Sequence, residues 1–148
     1  MRISAKGRYG LASMVYMSQF YNNGEYITIT TMADALGLSK IYLEQTFSLL
    51  RRAGLVSSVK GAQGGYQLIR EPFQITVLDV LSAIETSLFE KADVTVAEKD
   101  PALETAMQQG AFDLLDEAIE TTLQQVTLYD LLNETEKNRD NGGFMFYI

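Results

Sequence analysis

Polar and basic side chains repeat along one face of the stretch at residues 39–52, and these residue types bind DNA bases and phosphates. Leu43, Phe47 and Leu50 recur at helical spacing, which predicts an amphipathic helix with these three residues inward. Ser39 is suited to cap the start of this helix, and Gly54 is suited to end it. The outward residues that can reach base edges or phosphates are Lys40, Ile41, Tyr42, Glu44, Gln45, Ser48, Arg51 and Arg52.

A glycine-rich hairpin is predicted directly after this helix. Residues 55–60 and 66–69 have strand composition, and residues 61–65 form the turn between them. Lys60 and Tyr66 bracket the turn, and Gly64 and Gly65 have no Cβ, so their main chain can approach a narrow groove. The same glycines can instead serve the turn itself, and both interpretations can hold. A helix with a polar outer face followed by a basic hairpin is typical of a winged helix that binds DNA.

The first helix is predicted over residues 2–22, with Ser4 as its cap. Arg2, Lys6, Arg8 and Tyr9 lie in its first turns, where side chains and N–H groups can reach a phosphate together. The alternative is that these cations are only solvated. The residues alone favour solvated cations, and the family resemblance described below favours phosphate contact.

A short second helix is predicted over residues 32–36. Thr31 and Asp34 resemble a capping box at its start, and Gly37 is suited to end it. Two short helices joined by a few residues, the second of them polar outside, predict a helix-turn-helix.

The net charge of −7 is distributed unevenly along the chain. Residues 1–70 carry eight Lys and Arg against three Asp and Glu, a balance of +5. Residues 71–148 carry four against sixteen, a balance of −12. This asymmetry indicates a basic nucleic-acid face and an acidic body, although chance clustering of surface charge is the alternative.

A long, strongly apolar helix is predicted from Pro101, with Asp100 as its cap, to about residue 125. Two neighbouring apolar stripes cover more than half of its circumference, so one side can pack on its own chain while the other needs a second subunit. The alternative is a helix buried wholly within one chain. The residues expected between the subunits are Leu103, Met107, Ala111, Leu114, Leu115, Ala118 and Ile119.

The residue types on which most catalytic and redox sites depend are absent. The 148 residues include no Cys and no His, which excludes disulfides, thiolate metal sites and the usual catalytic bases. We therefore expect no enzyme activity, no cofactor, no iron–sulfur cluster and no haem. The acidic residues of the linker at 86–100 lack the spacing of a calcium loop, and a solvated loop is the simpler interpretation.

No apolar run approaches the ~20 residues of a membrane span. The start of the chain is basic but lacks the apolar core of a signal peptide, so a cytoplasmic protein is expected.

The C-terminal stretch changes character abruptly. Thr127 is suited to cap a last short helix, and residues 134–143 are polar with glycines, which predicts a flexible tail. The chain then ends on Phe146, Tyr147 and Ile148, apolar residues that are costly to leave in water. Either the tail folds back on its own dimer, or these three residues enter an apolar pocket of another protein.

Five stretches resemble the Rrf-two family of bacterial winged-helix regulators. They are RISAKGRYGL at residues 2–11, YLEQTFSLLRRAGLVSS at 42–58, KGAQGGYQL at 60–68, ITVLDVLSAIE at 75–85 and TLYDLL at 127–132. The final FMFYI is most similar to the CymR branch of the family. The linker matches only weakly, and it has none of the cysteines that ligate a cluster in other branches.

The resemblance implies a homodimeric, sequence-specific DNA-binding regulator, a repressor acting on a double-stranded operator. Similarity to the CymR branch implies cysteine and sulfur metabolism genes as targets. It also implies one protein partner for the tail, the cysteine synthase O-acetylserine thiol-lyase, which accepts another enzyme's tail ending in isoleucine. The alternatives are a winged helix that mainly binds protein and a stress-responsive regulator without a sulfur role.

We therefore expect a mainly α fold with a small β-hairpin wing, a winged helix-turn-helix with a long dimerisation helix. The expected divisions are a DNA-binding domain at residues 1–85, a linker at 86–100, dimerisation helices at 101–135 and a C-terminal tail at 136–148.

Overall fold

The computed structural model describes residues 2–61 and 64–146, and the surroundings of side chains up to residue 142. Seven helices and one two-stranded antiparallel hairpin make up this part of the chain. In chain order they are α1 Ala5–Ser18, α2 Ile29–Leu36, α3 Lys40–Arg52, β1 Val56–Val59, β2 Gly65–Leu68, α4 Val77–Ile84, α5 Pro101–Met107, α6 Asp113–Gln124 and α7 Leu128–Phe146.

The core lies around α1, which packs against α3, α4 and α7. Met14 of α1, Phe47 of α3, Val80 of α4 and Leu128 of α7 are all fully buried in one cluster. Burial of a large apolar side chain contributes about 1.5–3 kcal/mol, so this cluster supplies much of the stability that holds α3 in place.

Hydroxyl side chains cap most of the predicted helix starts. Ser4 and Ser39 each accept a hydrogen bond from an N–H group of the first turn of their helix, as predicted, and Thr76 does the same at the start of α4. At the start of α7, the N–H of Thr127 donates to Asp130 at 3.0 Å and the N–H of Asp130 donates back to the Thr127 hydroxyl at 3.1 Å. These bonds satisfy donors that a helix start leaves free.

The first helix is shorter than the predicted span of residues 2–22. It begins only after Ser4, whose backbone is extended with φ −65° and ψ 162°. It ends at Ser18, and a 3-10 turn at Tyr21–Asn23 follows, closed by Gly24 with φ +65°. The positive φ that Gly24 adopts ends the helical path, which the prediction extended too far.

The predicted start of the second helix is wrong. Thr31 and Asp34 do not form its capping box, because α2 begins three residues earlier and Thr28 is its cap. The hydroxyl of Thr28 accepts the N–H of Thr31 at 3.0 Å. The preceding Ile27 is held extended by a β-bridge to Tyr66, which makes Thr28 the first position where a helix can start.

β1 is one residue shorter at each end than the predicted span of residues 55–60, and β2 lies one residue before the predicted span of residues 66–69. The strands pair Val56 with Leu68 and Val59 with Gly65. Gly65 has φ +134°, and a Cβ there would lie 2.5 Å from the carbonyl oxygen of Ile27. A Cβ on Gly64 would collide with the carbonyl oxygen of Val59. Both glycines are therefore required by the packing of the hairpin itself.

The long helix after the linker forms with one interruption. Asp100 accepts the N–H of Leu103 at 3.1 Å and Pro101 occupies the first turn, as predicted. A π-helical segment at Gln108–Phe112 then separates α5 from α6. This segment contains Gly110. Glycine has a low helix propensity, which is consistent with an interruption of the α-helix at this point.

The prediction of a flexible tail at residues 134–143 is wrong. α7 continues through this stretch as far as Phe146, so the predicted short helix is instead one of 19 residues. The glycines there suggested a linker, but the residues before Gly142 include Glu134, Glu136, Lys137 and Arg139, which have high helix propensity.

Candidate nucleic-acid interface

The outer face of α3 carries the side chains predicted to read bases. Lys40, Glu44 and Gln45 are exposed, and Ile41 exposes 69% of its surface. Ser39 is also exposed, and its hydroxyl accepts the N–H of Tyr42 at 3.5 Å. The opposite face is fully buried, so α3 presents its polar face from a rigid base.

The N-terminal turns of α1 lie beside this face. The rings of Tyr9 and Tyr42 meet edge to face, with centroids 6.1 Å apart. Arg2 and Arg8 are exposed, and Lys6 is half-buried. Cations of α1 and polar side chains of α3 therefore share one side of the protein.

The hairpin is attached to α3 through side chains. Arg51 donates from Nη1 to the hydroxyl of Ser58 on β1 at 3.1 Å. Lys60 is exposed at the end of the hairpin, next to residues 62–63, which lie outside the described residues. Tyr66 is half-buried, with its ring centroid 4.8 Å from that of Phe47, and Gly64 is buried. Tyr66 and Gly64 therefore serve packing within the chain, and Lys60 is the freely exposed cation of the hairpin.

A buried carboxylate holds the start of α1, and sequence reasoning missed it. Glu85 is only 7% exposed, and its Oε1 accepts the N–H of Ser4 at 2.7 Å and the Ser4 hydroxyl at 2.5 Å. A Cβ on Gly7 would collide with this carboxylate, and a Cβ on Gly10 would collide with Ile84. Gly7 and Gly10 are three residues apart and therefore lie on one face of α1. This spacing was the signal in the sequence that another element packs closely against that face.

Among the described residues, ion pairs do not neutralise these cations. Within residues 2–61 and 64–142, the only salt bridge joins Arg70 to Asp79 at 3.5 Å. Arg2, Lys6, Arg8, Lys40, Arg51 and Lys60 therefore have no acidic partner within 4 Å among those residues. A surface of unpaired cations beside a polar helix face can attract a polyanion.

The predicted subunit contact is an exposed apolar surface. Leu103 is 49% exposed, and Leu114 and Leu115 are each 58% exposed. Met107 and Ile119 are half-buried, whereas Ala111 and Ala118 are exposed. The alternative of a helix buried wholly within one chain is therefore wrong.

Of the predicted tail contacts, Tyr147 and Ile148 lie outside the described residues. Phe146 is the last residue of α7, and only its backbone is described.

The chain is similar in sequence to known transcriptional regulators. The profile of the Rrf2 family, described as iron-dependent transcriptional regulators, matches residues 3–134. The HTH-type transcriptional regulator CymR of Bacillus subtilis strain 168 is 36% identical over 149 residues, which cover all of both chains. The regulator IscR of Klebsiella pneumoniae strain 342 is 32% identical over 139 residues, covering 92% of this chain and 82% of IscR.

Solved structures show the same fold. The structure of CymR, the global cysteine regulator of B. subtilis, matches with a TM-score of 0.72 and 34% identity, covering 90% of this chain and 98% of CymR. The structure of T. potens IscR matches with a TM-score of 0.71 and 36% identity, covering 93% of this chain and 90% of IscR.

The residues of this chain do not fit the iron that the family description implies. Cluster and haem iron are held mainly by Cys and His, and the sequence contains neither. Throughout the described part of the chain, no three acidic residues lie close enough together to hold a metal ion. No step involving iron is therefore assigned to this chain.

The expected fold class is confirmed by the solved structures, and the relatives are named as regulators and not as enzymes. No helix within the described residues has the length and apolar character needed to cross a membrane. The profile covers most of the chain, and the full-length relative is well above 30% identical. This chain belongs to the Rrf2 family of transcriptional regulators.

Proposed function

We propose that this chain acts in the cytoplasm as a homodimeric repressor of a near-palindromic double-stranded operator, with one α3 in each of two successive major grooves. The observation that carries the proposal is the exposed face of α3, flanked by cations of α1 and of the hairpin that have no acidic partner within the described part of the chain. A protein-binding winged helix does not need these cations. DNA does, because most protein–DNA hydrogen bonds go to phosphate and sugar.

The base contacts belong to the first half of α3. Gln45 suits adenine, with which an amide can form two hydrogen bonds, and Glu44 can accept from the amino group of cytosine. Ile41 has no polar atom, so it suits the methyl group of thymine. Ser39 and Lys40 begin the helix and lie where a backbone phosphate would pass.

The phosphate contacts surround these residues. Arg8 and Tyr9 of α1, Tyr42 and Arg51 of α3 and Lys60 of the hairpin position the backbone, together with Arg2 and Lys6. These contacts carry no sequence information of their own, but they make the affinity strongly dependent on salt.

The exposed apolar side of α5 and α6 supports a dimer. Leu114 and Leu115 each leave more than half of their surface in water, which is costly for adjacent large apolar residues on a helix. A twofold dimer is the commonest way to bury such a surface, and it also places two reading helices on a near-palindromic site.

The name of a relative supports sulfur-metabolism genes as the regulated genes. CymR of B. subtilis is titled the global cysteine regulator, and this chain covers nearly all of it. A gel-shift assay against upstream regions of sulfur-metabolism genes tests the assignment, with a scrambled duplex of equal length as control. We expect a retarded complex with at least one such region at a concentration that leaves the scrambled duplex free. Equal retardation of both would contradict it.

The apolar residues Phe146, Tyr147 and Ile148 support a cysteine synthase as a protein partner. They follow a polar stretch, and a short apolar segment can bind in a pocket of another protein. On this proposal the enzyme reports sulfur status by docking on the tail and thereby changes operator affinity. By linkage, operator DNA changes affinity for the enzyme by the same factor.

Calorimetry tests the partner directly. The enzyme is titrated with the full chain and with a chain lacking Tyr147 and Ile148, and we expect heat of binding only with the full chain. Equal binding by both chains, or none by either, contradicts the proposal. Loss of operator binding by the truncated chain without any enzyme present would favour a tail that folds back on its own dimer.

A further inference from the structure

A cavity of about 490 Å³ lies between the start of α1 and the beginning of the linker that follows α4. Ile3, Ser4 and Tyr9 line it from the side of α1, and Ser87 lines it from the side of the linker. Small-molecule sites have volumes of roughly 300–1,000 Å³. The cavity is therefore large enough for a small metabolite.

A buried carboxylate forms part of the cavity wall. Glu85 is only 7% exposed, and both hydrogen bonds that it accepts from Ser4 end on Oε1. Its second oxygen, Oε2, takes part in neither bond. In the part of the chain that the structure describes, no Lys or Arg nitrogen lies within 4 Å of this carboxylate. Because a buried charge without an opposite charge is costly, a cationic group in the cavity would stabilise Glu85.

Two guanidinium groups share the cavity with this carboxylate. Arg2 and Arg8 both line it and are both exposed. Neither of them has an acidic partner within 4 Å among residues 2–61 and 64–142. A guanidinium can bind a carboxylate through two parallel N–H bonds. The cavity therefore offers a place for an anionic group beside the place for a cationic group.

The two kinds of charge together disfavour a simple ion. Glu85 repels a lone anion at the arginines, and Arg2 and Arg8 repel a lone cation at Glu85. A small molecule that carries both charges close together is attracted at both ends. An α-amino acid has this chemistry, because its ammonium group, with three N–H donors, and its carboxylate are attached to the same carbon.

We propose that this cavity binds a free α-amino acid. The ammonium group donates to Oε2 of Glu85, and the carboxylate accepts from Arg2 and Arg8. The side chain of the amino acid lies against Ile3 and Ala5, which line the same cavity.

The amino acid and the operator then compete for the same cations. Arg2 and Arg8 are among the proposed phosphate contacts, and a carboxylate bound to them takes the place of a phosphate. By linkage, operator DNA lowers the affinity for the amino acid by the same factor. This competition rests on the proposed function, whereas occupation of the cavity does not.

Calorimetry without DNA tests the site itself. Each common L-amino acid is titrated separately into the full chain, and we expect heat of binding at millimolar concentrations from at least one. The N-acetyl derivative and the methyl ester of that amino acid each remove one of its two charges, so each should bind about ten-fold or more weakly. An N-acetyl derivative that binds as tightly as the amino acid would reveal a simple anion site and overturn the proposal. Absence of binding by every amino acid would also overturn it.

Glu85→Gln separates the charge of this residue from its structural role. The variant retains an acceptor for Ser4, so its circular dichroism spectrum should match that of wild type. It has no negative charge for the ammonium group, so its affinity for the amino acid should fall about ten-fold or more. Glu71→Gln makes the same charge change at an exposed residue outside the cavity and should bind the amino acid as wild type does. Equal affinity of the two variants would overturn the contact with Glu85.

Fluorescence anisotropy on a labelled operator measures the competition. A saturating concentration of the amino acid should raise the operator dissociation constant about ten-fold or more, because two charged contacts are lost. If the amino acid binds in calorimetry and the operator affinity stays the same, the competition is overturned and Arg2 and Arg8 are not operator contacts. A chain that binds the amino acid but no DNA would contradict the proposed function and support the amino-acid site.

Discussion

The ring of Tyr9 meets the ring of Tyr42 edge to face, with centroids 6.1 Å apart and planes inclined by 77°. Tyr9 belongs to α1 and Tyr42 to the exposed face of α3, so this pair joins the helix that carries Arg8 to the helix proposed to read bases. The Tyr42 backbone is fixed too, because its carbonyl accepts the hydroxyl of the buried Thr46 at 2.7 Å.

We predict that Tyr42→Leu lowers both stability and operator affinity, because it removes the aromatic contact between α1 and α3. Such pairs contribute about 0.5–1.5 kcal/mol beyond the area they bury. Tyr42→Phe keeps the ring and removes only the hydroxyl, so it should unfold as wild type. If Tyr42→Phe binds operator as weakly as Tyr42→Leu, then operator affinity depends on the Tyr42 hydroxyl and not on the contact between the rings.

Replacement of Glu85 should destabilise the chain even though it touches no proposed DNA contact. Glu85→Ala removes the acceptor of two hydrogen bonds from Ser4, and a hydrogen bond contributes about 0.5–1.5 kcal/mol to stability. Glu85→Gln retains a carbonyl oxygen at the same place and should lose much less. Urea unfolding at one fixed protein concentration measures the difference. Equal stability of both variants and wild type would show that this contact does not hold α1.

The caps show why part of the fold was predictable. Ser39, Thr76 and Thr127 cap helices through atoms three residues away, so the signal and its effect lie in one short stretch of sequence. Thr28 was missed because its role depends on the bridge from Ile27 to Tyr66, a residue far along the chain. Local pattern carries no information about that pairing.

The features of the candidate site that depend on local sequence were also predictable, whereas those that depend on distant contacts were not. The exposed face of α3 follows from helical spacing alone, and all of the residues predicted on it are exposed. The contact of Glu85 with Ser4 spans 81 positions, and no local pattern in the sequence reports a contact at that separation. The tail was misjudged because the glycines near residue 142 outweighed the strong helix formers before them.

Gly10 should not tolerate a side chain, whereas Gly110 should. A Cβ on Gly10 would collide with Ile84 and lie 2.8 Å from Thr46, and overpacking of this kind costs about 1–3 kcal/mol. Nothing lies within 4 Å of a Cβ on Gly110, so Gly110→Ala should be neutral or stabilise by up to about 1 kcal/mol. Chemical unfolding of Gly10→Ala and Gly110→Ala at equal protein concentration compares the two, and the opposite order would contradict the close approach of α1 to α3 and α4.

Lys60→Ala should weaken binding to all DNA sequences alike and make the affinity less dependent on salt. Loss of one phosphate contact lowers the slope of log K against log salt by about 0.9. Lys99→Ala removes an exposed cation of the linker and should change neither quantity. An affinity and a salt slope in Lys60→Ala that equal those of wild type would remove the hairpin from the interface.

A substitution of Gln45 is the most direct test of base recognition by α3. An operator is first selected with the wild-type chain from a library of random duplexes, and each base pair is then varied in turn. Fluorescence anisotropy of wild type and Gln45→Ala on this set should show a loss of about 1–3 kcal/mol in the variant, confined to one base pair of each half-site. A Gln45→Ala chain with the affinity and base preferences of wild type would contradict the claim.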